Sequence, residues 1–302
     1  MKIVPRNKVI HTFETDMEAV ETVAPGEVVK FETRDSFDNQ IDGEDKLRTQ
    51  IDNSRVNGAT GPVYVEGAEK GDLLKVKIFD ITLPDRGFAV IRPDFGIMGD
   101  TVKEAKTRAL TKVDDSFFRF RDILLPVRRL IGVIGVAPLE GEYSTNIPWK
   151  HGGNMDTGDI TEGSTLYLPV GQKGGLLAMG DCHVLQGDGE LFSGCDISSE
   201  VTVRIDVIKN KKTIEWPLVE TKDHTMVVAS GDNVDDAAKE ATKQAVGLLS
   251  KALGLSWEDA LILASIAVDL KISQISNPKK TIRAAIPISI VSTQRLIEAQ
   301  GY

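Results

Sequence analysis

The chain has 302 residues, 41% of them hydrophobic, and a formal net charge of −9. This length can bury a substantial core without disulfides, and the negative charge argues against nucleic acid as a partner, since phosphate binding needs a concentrated basic patch. We see no apolar signal region and no run near the ~20 apolar residues of a membrane span, so we expect a cytoplasmic protein without a membrane partner. The two cysteines, Cys182 and Cys195, do not suggest a disulfide framework.

Most of the chain up to Gly231 predicts β-strands separated by glycine-rich turns. Apolar residues alternate with polar ones or form short β-branched runs, as in strands of a half-buried or buried sheet. The predicted strands cover residues 28–33, 63–65, 73–78, 130–136, 165–170, 175–179, 201–208, 214–219 and 225–228. The turn at 171–174 predicts that the strands on either side of it form a hairpin.

Helical spacing begins after Gly231. Asp235 can cap a first helix that ends at Gly254, and Ser256 opens a second one that reaches about Val268. A final strand is predicted over 282–290. The sequence therefore predicts an α+β fold that is mostly β, in sandwich-like or barrel-like sheets, with a C-terminal helical pair packed on the sheet. We expect residues 1–230 to form the mainly β region that carries the active-site loops. Residues 231–302 would add the helical pair and final strand within one compact unit.

Residues with catalytic or metal-binding capacity collect in four segments, at 32–40, 61–72, 151–159 and 180–190. The last of these is the most informative. Asp181 and His183 are two residues apart, and on a strand this spacing places both side chains on one face, where they can share a zinc-class ion. Cys182 would point to the other face. The turn over 186–190 can return Glu190 to the same site, as a base beside a water molecule.

Two other interpretations of this segment remain open. Cys182 could be a nucleophile with His183 or His151 as its base, although neighbouring residues on a strand point apart. The chain could also be a non-catalytic β binding module that is stabilised by calcium. Cys195 is interpreted as a small packing residue.

Three stretches together make the sequence resemble the acetamidase/formamidase family. They are residues 61–69, residues 151–156, and residues 180–183 with 186–190. The likeness extends from about residue 28 to residue 290. The resemblance implies hydrolysis of short aliphatic amides, such as formamide or acetamide, to carboxylate and ammonia. It also implies a mostly β fold, a homodimer, and bound divalent metals, with zinc and calcium as candidates. Hydrolysis of another C–N bond, in a larger or cyclic amide, stays open.

On this basis we assign roles to seven residues. Zinc is the first candidate for a metal bound by Asp181 and His183, and Asp35 or Asp156 would complete the ligand set. The predicted catalytic residues are Glu190 as the base, Asn154 as a hydrogen-bond donor to the substrate or oxyanion, and His151. A second site for calcium could use the carboxylates of Asp35, Asp38 and Asp156.

Overall fold

The computed structural model describes residues 1–209 and 214–301. Strands dominate these residues. The first eleven are β1 (Lys2–Val4), β2 (Val9–Ile10), β3 (Thr12–Phe13), β4 (Glu21–Val23), β5 (Glu27–Glu32), β6 (Ala59–Val65), β7 (Leu73–Ile81), β8 (Arg86–Ile91), β9 (Lys106–Lys112), β10 (Phe117–Phe120) and β11 (Ile123–Pro126). The others are β12 (Leu130–Gly135), β13 (Tyr143–Ser144), β14 (Gly152–Asn154), β15 (Thr165–Pro169), β16 (Leu177–Leu185), β17 (Cys195–Ile197), β18 (Glu200–Ile208), β19 (Leu218–Glu220), β20 (His224–Gly231), β21 (Asp269–Gln274) and β22 (Lys280–Pro287). The helices are α1 (Val234–Leu253), α2 (Trp257–Ala267) and α3 (Thr293–Glu298), with 3-10 turns at Arg48–Gln50, Asn53–Arg55 and Gly99–Thr101.

The strands form two large sheets and a short pair, β13 with β3. The nine-stranded sheet has the order β1-β5-β18-β7-β15-β19-β20-β22-β21. The eleven-stranded sheet has the order β11-β10-β9-β8-β17-β16-β12-β14, with β6 attached to β16 and with β2 and β4 attached to β6. Neither sheet closes into a barrel within residues 1–209 and 214–301. Of the two predicted arrangements, the structure therefore has sandwich-like sheets and not barrel-like ones.

The two sheets pack face to face through one hydrophobic core. Its nine-stranded side includes Phe31 and Val203, while Ile134 and Met179 come from the eleven-stranded side. The alternation along β18 explains this arrangement, because Val201, Val203 and Ile205 are buried while the residues between them are more exposed. The layered packing confirms the mostly β fold class.

The helices cover the outer face of the nine-stranded sheet. Ala241, Ala245 and Leu249 recur at helical spacing on α1, and they pack against Val227 and Ile282 of the sheet. The side chain of Asn233, rather than Asp235, caps this helix by accepting a hydrogen bond from the N–H of Asp236. Gly254 ends α1 in a left-handed conformation, with φ of +68°, and Ser256 caps α2, both as predicted. The predicted C-terminal helical pair is therefore confirmed.

The predicted hairpin of residues 165–170 and 175–179 is wrong. β15 pairs with β7 and β19 in the nine-stranded sheet, whereas β16 pairs with β12, β6 and β17 in the eleven-stranded sheet. The turn signal correctly places a chain reversal, but the reversal carries the chain from one sheet to the other. The sequence prediction also missed the helix α3 and twelve strands, which are β1 to β4, β8 to β11, β13, β14, β17 and β21. Among the described residues, no helix combines the length and the apolar character that crossing a membrane requires.

Candidate active site

Strand β16 is the central element of the site. It pairs with β12 along one edge and with β6 and then β17 along the other. Asp181 Oδ1 lies 3.1 Å from His183 Nε2, so the two side chains are together, as the two-residue spacing predicts. Cys182 between them is fully buried in the core that the two sheets share. Burial raises the pKa of its thiol to about 12, which keeps it protonated and makes it a poor nucleophile.

Asp156 joins this pair from the segment after β14. One ligand atom from each of Asp156, Asp181 and His183 lies within 4.8 Å of the others, and all three side chains are buried. His183 Nδ1 lies 2.7 Å from Gln186 Oε1, while Gln186 Nε2 donates to the carbonyl oxygen of Asp156 at 2.7 Å. We therefore assign the proton to Nδ1, because Gln186 Oε1 can only accept. Nε2 then faces the carboxylates, so it is the ring nitrogen that could bind a metal.

The backbone around these residues is shaped to bring them together. Asp156, Asp181 and Glu190 all have positive φ, at 43°, 52° and 33°, a region that residues other than glycine seldom adopt. A Cβ atom on Gly132 would lie 2.4 Å from Asp156 Oδ1 and 2.9 Å from Asp181 Oδ2. Only glycine fits here without displacing a carboxylate. Backbone of this kind is concentrated at functional sites.

The electrostatics of the group favour a cation. Burial, together with the charge of the neighbouring Asp181, raises the pKa of Asp156 to about 6. Burial likewise raises the pKa of Asp181. For His183, burial lowers the pKa, but the carboxylates of Asp181 and Asp196 outweigh this effect and raise it well above its usual value. Buried carboxylates that repel one another are stabilised by a positive charge between them, so these residues fit a divalent metal.

Asp196 is a member of the site that the sequence prediction missed. It lies directly opposite His183 in the pairing of β17 with β16, and its Oδ1 is 3.4 Å from His183 Nε2. Ser36 donates a hydrogen bond to the same oxygen. The sequence shows Asp196 only as the neighbour of Cys195, which is a buried packing residue as predicted. The register of the two strands, which is not visible in the sequence, brings this carboxylate to the imidazole.

Glu190 is buried and lines the same cavity as Asp181 and His183. Its Oε2 accepts a hydrogen bond from Ser276 Oγ at 3.0 Å. Burial raises the pKa of Glu190 well above its usual value, and the charge of Asp156 raises it further. The turn after β16 therefore returns this carboxyl group to the cluster.

Two asparagines hold the carboxylates in place. We assign the Asn154 amide with its nitrogen 3.0 Å from Asp181 Oδ2 and its oxygen 3.1 Å from Asn277 Nδ2, because this orientation satisfies both groups. Asn277 also donates to Asp156 Oδ2 at 2.7 Å. The sequence shows Asn277 only as a chain break before Pro278, so its contact with the site was not predicted. The direct partners of Asn154 are carboxylates, and its contact with a substrate stays a prediction.

Asp35 lies near the cluster but uses its carboxylate differently. Its Oδ1 accepts hydrogen bonds from the N–H groups of Phe37, at 3.0 Å, and Asn39, at 2.7 Å, which stabilises the loop after β5. Burial raises the pKa of Asp35 to about 7, and the charge of Asp196 adds to the effect. Asp38 forms ion pairs with two arginines, Arg34 and Arg55. These contacts give no support to a calcium site in this loop, and a metal-binding role for Asp35 stays a prediction.

His151 lies in a different environment. Its ring packs against Phe13, with centroids 5.0 Å apart, and stacks on Tyr143 at 4.9 Å. Neither ring nitrogen has a hydrogen-bond partner among the described residues, and burial lowers the pKa of His151 to about 3. It lines a separate cavity of about 390 Å³ with Pro138 and Lys150. The structure therefore does not bring His151 to the cluster, and its catalytic role stays a prediction.

The cluster opens into a cavity of about 230 Å³. Its lining combines acidic, amide and hydroxyl groups with aromatic rings and two arginines, Arg48 and Arg92. Cys182 is not among the lining residues. The cavity thus brings a polar, cation-favouring cluster into contact with a small space for a ligand.

The chain is similar in sequence and in fold to proteins of one known family. Two stretches, residues 4–146 and 140–293, match the sequence model of the Acetamidase/Formamidase family. A formamidase of Methylophilus methylotrophus is 27% identical over 340 aligned positions, which cover 86% of this chain and 83% of that protein. The crystal structure of an acetamidase from Bacillus halodurans superposes with a TM-score of 0.93 at 36% identity, over 99% of this chain and 100% of that one. A predicted acetamidase/formamidase from Thermoanaerobacter tengcongensis gives a TM-score of 0.92 at 37% identity, with 99% and 98% covered.

Proposed function

Because the chain belongs to the acetamidase/formamidase family, we propose that it hydrolyses short aliphatic amides, such as formamide and acetamide, to carboxylate and ammonia. Family membership supports an amidase over a non-catalytic binding module. The observation that carries the proposal is the convergence of Asp156, Asp181 and His183 beside a cavity of about 230 Å³. Pockets for drug-sized ligands begin at roughly 300 Å³, so this cavity suits a substrate of a few non-hydrogen atoms.

We propose that the reaction depends on a divalent cation held by Asp156, Asp181 and His183, with zinc as the first candidate. Two carboxylate oxygens and one imidazole nitrogen form a ligand set that zinc accepts. When bound, such an ion lowers the pKa of a water molecule and polarises a carbonyl group. Gln186 orients the imidazole from its other nitrogen, and outer partners of this kind strengthen metal binding.

Glu190 is the proposed proton carrier. It lines the cavity and lies next to Asp156, so it can accept a proton from the attacking water and deliver it to the departing amine nitrogen. Asn154 and Asn277 would keep the carboxylates in register while the proton moves. Cys182 has no part in this scheme, because its thiol faces the hydrophobic core.

The decisive experiment is an assay of ammonia release from formamide and acetamide, with the metal content measured in parallel. We expect dialysis against a strong chelator to lower the rate about 100-fold or more, and zinc, manganese or calcium added singly to show which ion restores it. Full activity in protein proved metal-free would overturn the metal assignment. No ammonia from either amide, in metal-loaded protein, would overturn the substrate assignment.

We also propose that the protein acts as a homodimer in the cytoplasm. The helix α2 exposes Leu261, Ile262 and Ile266, the last with 78% of its surface accessible, and an apolar face of this kind supports self-association. Light scattering should give twice the chain mass, and Ile266→Glu should reduce it if α2 forms the interface. A monomeric mass for the unaltered protein would contradict the proposal.

A further inference from the structure

Two arginines line the candidate active-site cavity without an acidic partner. Arg48 and Arg92 share this cavity with His183, and neither forms an ion pair within residues 1–209 and 214–301. Arg48 donates to Asn53 Oδ1, and Arg92 donates to the carbonyl oxygen of Pro93 at 3.3 Å. Arg48 and Arg92 are half-buried, whereas the fully buried Arg283 contacts the carboxylates of two aspartates, Asp159 and Asp188.

The charges of Arg48 and Arg92 act on each other at the wall of this cavity. Burial lowers the pKa of Arg48, and the charge of Arg92 lowers it further, while Asp196 acts in the opposite direction. Two like charges at the wall of one cavity are therefore close enough to repel each other. The guanidinium carbon of Arg92 also lies 4.6 Å from the ring centroid of Phe95, a distance at which the cation and the ring attract each other. Planar guanidinium groups bind carboxylates through paired hydrogen bonds.

We propose that Arg48 and Arg92 form a carboxylate-binding subsite in this cavity, which selects short amides whose acyl chain ends in a carboxylate. Such substrates are monoamides of dicarboxylic acids, and the inference rests on the amidase function proposed above. In the reaction, water adds its oxygen to the amide carbon and the C–N bond breaks. The nitrogen takes both protons of the water and leaves as ammonium, and a dicarboxylate remains. The free carboxylate of the substrate takes no part in the bond changes and serves only for recognition.

A substrate pair of equal shape tests this subsite. Malonamate and isovaleramide differ in that a carboxylate in the first replaces an isopropyl group in the second. We expect the unaltered enzyme to have the higher kcat/KM for malonamate, and the preference to shrink as salt is added, because screening weakens charge pairing. Arg48→Gln and Arg92→Gln should each lower the ratio of the two kcat/KM values by about tenfold or more. Arg48→Lys and Arg92→Lys retain the charge and should recover part of the ratio.

The matched control is Arg119→Gln, because Arg119 is exposed on β10 and does not line the cavity. It should leave the ratio within twofold of the original. A ratio that is insensitive to both arginines and to salt would overturn the subsite. The subsite would also be overturned if the arginine variants kept the kcat/KM ratio but bound less metal. The arginines would then only balance the charge of the acidic cluster.

A binding measurement separates this inference from the amidase proposal. Malonate should bind the metal-loaded enzyme in calorimetry, about tenfold more weakly in Arg48→Gln and Arg92→Gln than in Arg119→Gln. If malonate binds in this way but no amide is hydrolysed, the function fails and the subsite stands. If acetamide is hydrolysed but malonate binding does not depend on either arginine, the function stands and the subsite fails.

Discussion

Two buried histidines, His183 and His151, have opposite surroundings, and their pKa values shift in opposite directions. We call the surroundings of His183 the carboxylate pocket, formed by Asp156, Asp181, Glu190 and Asp196. The surroundings of His151 are the aromatic pocket, formed by two rings, Phe13 and Tyr143. Carboxylates raise the pKa of His183, whereas burial without a partner lowers that of His151 to about 3. Burial alone therefore does not indicate a catalytic histidine, because the charges around the ring decide what it can bind or transfer.

The largest expected effect separates the two histidines directly. His183→Ala removes the nitrogen ligand, so we expect kcat/KM for acetamide to fall about 1000-fold, since metal catalysis contributes several kcal/mol to the barrier. His151→Leu should lower it less than about tenfold, because its ring does not line the cavity of the carboxylate pocket. Steady-state kinetics with metal analysis would decide. Equal losses in the two variants would assign His151 a catalytic role after all.

The next effect tests whether the carboxylate pocket depends on its backbone. Gly132→Ala places a methyl group 2.4 Å from Asp156 Oδ1, so one carboxylate must move. We expect a destabilisation of about 1–3 kcal/mol and a loss of metal binding. Gly187→Ala is the control, because an added Cβ there meets no atom within 4 Å. Urea unfolding and metal titration measure both quantities, and normal metal affinity in Gly132→Ala would contradict the assigned geometry.

The aromatic pocket has its own signature in the pH dependence of stability. The pKa of His151 is about 3 in the folded state, against about 6.5 when unfolded, so the unfolded state binds more protons between these values. Stability from this group is present above pH 6.5 and is lost as the pH falls towards 3. At pH 5 the loss should be about 2 kcal/mol relative to pH 7. Urea unfolding should show that His151→Leu loses less stability between pH 7 and pH 5 than the unaltered protein, by that same amount. Equal losses of stability in the two proteins would refute the explanation.

The smallest effect concerns the thiol next to the carboxylate pocket. Cys182→Ala removes a buried sulfur that accepts a hydrogen bond from Thr33 Oγ1 at 3.7 Å, so stability should fall by about 1 kcal/mol. The kcat/KM for acetamide should stay within about twofold, since the cysteine does not reach the cavity. If this variant folds normally but is inactive, Cys182 is the nucleophile and the metal-based proposal fails.

Much of the local structure could be predicted from short stretches of sequence. Ser256 and Gly254 mark helix boundaries because capping depends on residues within one turn. The spacing of Asp181 and His183 predicts their shared face because strand geometry repeats every two residues. The predicted strands overlap ten of the 22 strands among the described residues, including the long strands β7, β16 and β18. The missed strand β21 is largely exposed on its first residues, so its apolar pattern is weak.

The features that short sequence patterns predict are therefore local: the strand-rich composition, the helical pair, and the Asp181–His183 unit on one face of β16. The distant residues that join that unit become visible only in the folded chain. Strand register brings Asp196 to His183, packing brings Asn277 to Asp156, and sheet order separates β15 from β16. The physical reason is that backbone preferences act over a few residues. The pairing of distant strands depends on how all the hydrophobic faces are buried together.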